Sequence, residues 1–249
     1  MNLIAIRVAG IAGIVGAICW AIGDILLVGG HAEPSDYPLL LQDYADRIDF
    51  APLGWMLPLS ERRMAFGALI ANFSIPLYLA GSWHLFRGAR PAGRVLSWGS
   101  FGLLFCANAW SPFGHVAFYY PAMTFRTILE TPVEAHAALI ALGKHFDQML
   151  IIAWLSAVVA LAAGMLVLAI AIITGRSAYP RWAAAVINPV TPLAMAALGS
   201  LLPDPVGRWF YASVLNIGFF IIYTLSTALL WNCGRAPGAS GTYATPNAN

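Results

Sequence analysis

One carboxylate sits inside an apolar run. Residues 16–30 read G-A-I-C-W-A-I-G-D-I-L-L-V-G-G, with Asp24 about a turn from the end of a stretch long enough to be a membrane helix. A charged side chain in the core of a bilayer costs about 2.5–3.5 kcal/mol or more, so such groups are paired and usually functional. The partner this sequence offers is His115, a residue type able to exchange protons near neutral pH. Asp24 and His115 would make a general acid/base pair, Asp24 as the acid or base and His115 as its partner.

Further polar residues fall at a comparable depth. Counted at 1.5 Å per residue, Asn72 lies about 12 Å into the second apolar stretch and Asn216 about as deep in the last one. Asn108, Ser111 and His115 fall on one stripe of the third. Trp20, Trp110, Tyr119, Tyr120 and Trp209 crowd the same level. Apolar and aromatic walls with a few converging polar groups describe a pocket for a hydrophobic small molecule. The plainer reading makes the amides and hydroxyls hydrogen-bond glue between helices and the aromatics an interfacial belt. His31, Glu61, His145 and Asp147 form a second acid/base set at the outer rim. No HExxH or other ordered spacing supports a metal, and no cofactor is expected.

These residues need helices to hold them. Of the 249 residues 60% are hydrophobic and 10% charged, against about 25% charged in soluble domains. The expected fold is therefore all-α, a polytopic membrane bundle of about six helices near 4–28, 64–86, 95–117, 148–174, 182–202 and 208–231. Residues 1–232 would form this single domain, and 233–249 a disordered tail. The first run is too long for a signal peptide and lacks a cleavage site, so it is expected to be retained. Arg87, Arg90 and Arg94 crowd one loop and Arg176 and Arg181 another, neither with an acid. The positive-inside rule then places both termini in the cytoplasm. Short amphipathic helices are expected in the first outer loop, around Leu40, Leu41, Tyr44 and Ile48, and in the third, where Thr131-Pro132-Val133-Glu134 reads as a capping box. Gly10, Gly13 and Gly16 line the first helix for close packing.

The net charge of +2 and the lack of any basic recognition element exclude a nucleic-acid partner. Cys19, Cys106 and Cys233 are too dispersed for a disulfide framework. A retinal protein needs a lysine within a span, and Lys144 lies outside them. No span carries the continuous polar face of a channel.

Four stretches carry a resemblance: W-A-I-G-D-I-L-L-V-G from Trp20, Y-P-L-L-L-Q-D-Y-A-D from Tyr37, P-L-Y-L-A-G-S-W-H from Pro76 and S-P-F-G-H-V-A-F-Y-Y from Ser111. Through them the chain resembles an uncharacterised bacterial multi-pass membrane family, a domain of unknown function, and the resemblance implies no activity. An aromatic-lined bundle with an intramembrane acid also looks like the small integral-membrane terpene cyclases, by analogy alone. The expected function is an inner-membrane enzyme using acid/base chemistry on a lipid or isoprenoid-like substrate. The alternative is a non-catalytic protein that binds, senses or moves a lipophilic molecule. Its partners would be membrane lipids and that hydrophobic ligand.

Overall fold

A computed structural model describes residues 3–233. The expected tail lies outside the described residues apart from Cys233. Helix α1 (Leu3–Val28) is apolar all round but not uniform. Ile4, Val8, Ile11, Val15, Ile18 and Ile22 recur every three or four residues on its exposed face. Ala9, Gly10, Gly13, Gly16, Ala17 and Gly23 are buried on the other. Large side chains outward and small ones inward let neighbouring backbones come close. A Cβ at Gly13 would come within 2.8 Å of the Tyr223 ring.

The rest of the bundle wraps this face. After a π-helical turn (Leu39–Asp43) and α2 (Leu53–Met56), helices α3 (Glu61–Phe73) and α4 (Ile75–Ala89) run back along α1. Pro76 separates them, since it has no N–H for the Asn72 carbonyl. Next come α5 (Arg94–Ala117), α6 (Tyr119–Thr127) and the 41-residue α7 (Val133–Ile173). The chain closes with α8 (Val190–Gly199), α9 (Val206–Ala212) and α10 (Val214–Leu230). Contacts fix an up-and-down order. Gly23 meets Gly67 at one end of α1, and His84 meets Ile6 at the other. Asp24 meets Asn216, while Arg7 donates to the Trp231 carbonyl. Arg7, Arg87 and Arg90 thus share one end, and the acidic residues lie in the other half.

The fold is all-helical among the described residues. Helix α1, the α3–α4 segment and α7 are long and apolar enough to cross a membrane, as is α9–α10 if that pair, bent by 77°, is one span. Helix α5 is 24 residues long, but Ser97, Ser100, Asn108, Ser111 and His115 make it less apolar. The stretch 182–202 is not one helix. It comprises a 3-10 turn (Arg181–Ala185), a bend at Asn188 and the ten-residue α8, only about 15 Å long. Even so, Ala178 bonds the Gly88 carbonyl at the basic end, while Ser200 shares a cavity with Val28 at the opposite end.

Both of the loops expected on the outer side differ in detail from the sequence pattern. Around Leu40 the chain makes one π-helical turn rather than an amphipathic surface helix. Leu40 and Ile48 are drawn into a second apolar core with Phe50, Phe125 and Ile128. The capping box is not formed either. Pro132 takes the cap position without a side-chain bond, and the Thr131 hydroxyl turns back to donate to the Thr127 carbonyl. Helix α7 does run without interruption through the fourth apolar stretch.

At the basic end a buried relay ties α1, α4 and α10 to the loop after α7. The Tyr179 hydroxyl bonds Ser226 Oγ at 2.7 Å, Ser226 bonds His84 Nε2 at 2.9 Å, and His84 Nδ1 donates to the Ile6 carbonyl. That carbonyl assigns the tautomer, with Nε2 as acceptor. Replacing Ser226 by Ala strands two buried groups and is expected to cost about 1–2 kcal/mol, read as a lowered thermal midpoint in detergent. A midpoint equal to wild type would mean the relay holds nothing.

Candidate functional site

Asp24 on α1 is held from two sides. His115 Nε2 on α5 lies 3.1 Å from Oδ1, and Asn216 Nδ2 on α10 donates to Oδ2 at 2.6 Å. The Tyr78 hydroxyl on α4 donates to Asn216 Oδ1 at 2.6 Å, which fixes which end of the amide faces the carboxylate. The side chains of His115 and Asp24 are 6% and 17% exposed, so four helices converge on one buried, hydrogen-bonded pair. The Trp20 ring lies 4.9 Å from the His115 ring and 5.7 Å from that of Tyr78.

Close backbone approach makes this convergence possible. A Cβ on Gly23 would stand 2.8 Å from the Gly67 carbonyl oxygen, and one on Gly67 equally close to that of Gly23. Only paired glycines let α1 and α3 touch at this point. Arg63 seals the crossing by donating from Nη2 to the Ile25 carbonyl at 3.1 Å. It bonds the backbone one residue from Asp24 and makes no ion pair with the carboxylate.

Two buried polar atoms of the pair's own surroundings lack hydrogen-bond partners, His115 Nδ1 and Nε1 of the adjacent Trp20, and so does Asn72 Oδ1 on α3. Orphaned buried groups are uncommon in folded proteins and call for a water or ligand. In the neutral tautomer whose Nε2–H donates to the carboxylate, Nδ1 keeps a free lone pair.

Other sequence-selected residues are placed elsewhere. Asn108 donates to Ser82 Oγ at 2.8 Å, farther toward the basic end. The Ser111 hydroxyl turns back to the Ala107 carbonyl, one residue before Pro112 interrupts the helix's own bonding. Trp110, Tyr120 and Trp209 face outward. Tyr119 donates to Glu61 Oε1 at 3.1 Å on the rim, and burial, then this bond, raises its pKa above the ordinary phenol value. It therefore stays a donor at neutral pH. His31 pairs with Glu33, His145 is exposed, and Asp147 is half-buried beside Asp49. Among the described residues no three His, Cys, Asp or Glu side chains come together as a metal site would require.

A cavity of about 260 Å³ opens at the acidic end, lined by Val28, Trp55, Asp204, Arg208 and Tyr211. Val28 is four residues beyond Asp24 on α1, so the cavity lies about one turn above the pair. Its aromatic wall is Trp55 and Tyr211, rings 6.1 Å apart.

Sequence reasoning passed over Tyr78, His84, Ser226 and His136. His136 Nδ1 is 2.9 Å from the Tyr44 hydroxyl and Nε2 bonds the Thr131 carbonyl. For Tyr78 a signal existed: Tyr78 and Ser82 lie four apart, on one helical face with Gly81 between them.

One family model matches residues 1–233, that of a family of unknown function, DUF6796. No curated protein and no solved structure matches the chain.

Proposed function

The chain belongs to the DUF6796 family, whose function is unknown, and we propose from its own residues that it is an integral membrane enzyme performing acid/base chemistry on a lipid or isoprenoid-like substrate. The chain would cross the plasma membrane six times with both termini in the cytoplasm, the fifth crossing made by the 3-10 turn and α8. The ends of that segment, Ala178 by Gly88 and Ser200 by Val28, support this path. The arginine-rich loops support the orientation.

One observation carries the enzymatic reading: a buried histidine with its carboxylate on one nitrogen and nothing on the other. Asp24 then positions His115 and stabilises the imidazolium, while Nδ1 takes a proton from the substrate and returns it. This reverses the roles expected from sequence. Trp20 Nε1 and Asn72 Oδ1, also unpartnered, supply a donor and an acceptor for a substrate oxygen. The cavity one turn above offers the approach from the outer side.

A second reading rests on the saturation of the carboxylate. Each Asp24 oxygen already has a donor from a different helix, which suits a structural tie in a protein that binds or moves a lipophilic molecule. Mass spectrometry of small molecules co-purifying with wild type, Asp24→Asn and His115→Gln separates the two. The enzyme predicts a lipid that accumulates unconverted in both variants but not in wild type. The same lipid in equal yield from all three would sink the catalytic reading and favour the binder.

A further inference from the structure

A second cavity, of about 500 Å³, lies at the opposite end, where Arg87 and Arg90 face an apolar wall of Ile6, Ala178 and Leu230. Its size falls in the usual range for small-ligand sites, about 300–1,000 Å³. The Arg87 guanidinium lies over the Trp83 ring at 5.5 Å, yet its Nε is buried without a hydrogen-bond partner. A buried guanidinium edge with no acceptor is costly unless an anion completes it.

Among the described residues no carboxylate pairs with Arg87. Every Asp and Glu lies in the other half of the molecule, and the residues beyond Cys233 add Arg235 and no acidic side chain. The neighbouring Arg7 is already engaged, donating to the Trp231 carbonyl and stacking on its ring at 4.8 Å. The forked donors of arginine match phosphate oxygens two at a time. An apolar wall beside two such forks suits a phosphate joined to a hydrocarbon chain.

We propose that this cavity binds the phosphate of an anionic lipid head group, with Arg87 and Arg90 as its ligands. Basic pockets between helices on the cytoplasmic side commonly take such groups. The site is independent of the Asp24–His115 pair and stands or falls separately.

The test uses the purified full chain in detergent, with phosphatidylglycerol, phosphatidylcholine and inorganic phosphate added separately at fixed ionic strength. Bound lipid is counted by native mass spectrometry, and the thermal midpoint is followed in parallel. Wild type is expected to prefer phosphatidylglycerol over phosphatidylcholine by about 30-fold, the product of two arginine contacts. The preference should vanish in Arg87→Gln/Arg90→Gln and persist in Arg94→Gln, whose residue does not line the cavity. If that double variant does not fold, the exposed Arg90→Gln alone decides, with an expected drop of about fivefold. Inorganic phosphate that raises the midpoint and displaces the lipid supports the phosphate site but assigns its source to solution. Equal binding of both lipids by wild type with no response to phosphate overturns the proposal. So does a preference that survives loss of the arginines.

Discussion

Asp24→Asn is expected to keep the fold and lose the base, whereas Asp24→Leu loses both. Leucine leaves His115 Nε2–H and Asn216 Nδ2 buried without acceptors, and Tyr78 holds the Asn216 amide so that it cannot turn over. Two stranded donors cost about 2–4 kcal/mol even where a membrane softens the penalty. Asparagine retains an acceptor for Asn216, and its amide N–H then faces His115 Nε2. The histidine answers by moving its proton to Nδ1, which preserves a hydrogen bond while blocking the free lone pair. Stability should fall by less than about 1 kcal/mol, yet proton transfer at Nδ1 should stop. Nitrogen NMR of labelled histidine reads this directly, with the protonated nitrogen switching from Nε2 to Nδ1. A variant that keeps the wild-type tautomer and full turnover would falsify Nδ1 as the base. A loss of fold as severe as in leucine would make Asp24 a structural tie.

The pairing of Asp24 with His115, and the depth of Asn216 beside them, were legible because few residue types lie deep in apolar helices without a polar partner, whereas the bond from Asn216 to the carboxylate was not. Counting residues from each helix mouth put them at one level. The same arithmetic, applied along α5, separates Asn108 from His115 by seven residues, about 10 Å, so both cannot reach Asp24. Trp110 stands five residues from His115, about 140° around the helix, which turns it outward. Composition announced apolar helices and not how each is broken. Pro76, Pro112 and the Asn188-Pro189 bend are visible as letters, but whether a proline kinks a helix or ends it depends on what packs beside it. The loop between α1 and α3 shows the opposite failure. Its helical spacing is real, yet a short segment follows the burial of Leu40 and Ile48 against a distant core rather than its own periodicity. Tyr78 escaped notice because a tyrosine among leucines reads as apolar until its hydroxyl is given a partner.

The crossing of α1 and α3 should be the least tolerant point of the bundle. A valine at Gly67 would bring its Cβ to 2.8 Å from the Gly23 carbonyl oxygen and 3.0 Å from the Leu27 nitrogen. Both are backbone atoms in a rigid helix, so neither can swing aside, and the helices must part. Parting them stretches the Arg63 bond to the Ile25 carbonyl and pulls Asp24 away from His115 across the gap. Overpacking of this kind costs about 1–3 kcal/mol, and the lost polar contacts add to it. The thermal midpoint of Gly67→Val should therefore fall by about 6–12 °C. Gly102 on α5 provides the matched control, because a Cβ there meets nothing within 4 Å. Gly102→Val puts the same side chain into a helix of the same bundle at almost no packing cost. The difference between the two midpoints isolates the crossing from the intrinsic effect of valine in a helix. Equal midpoints would show that α1 and α3 separate freely. The carboxylate would then be held by α5 and α10 alone, and the close glycine contact would have no part in aligning His115 with it.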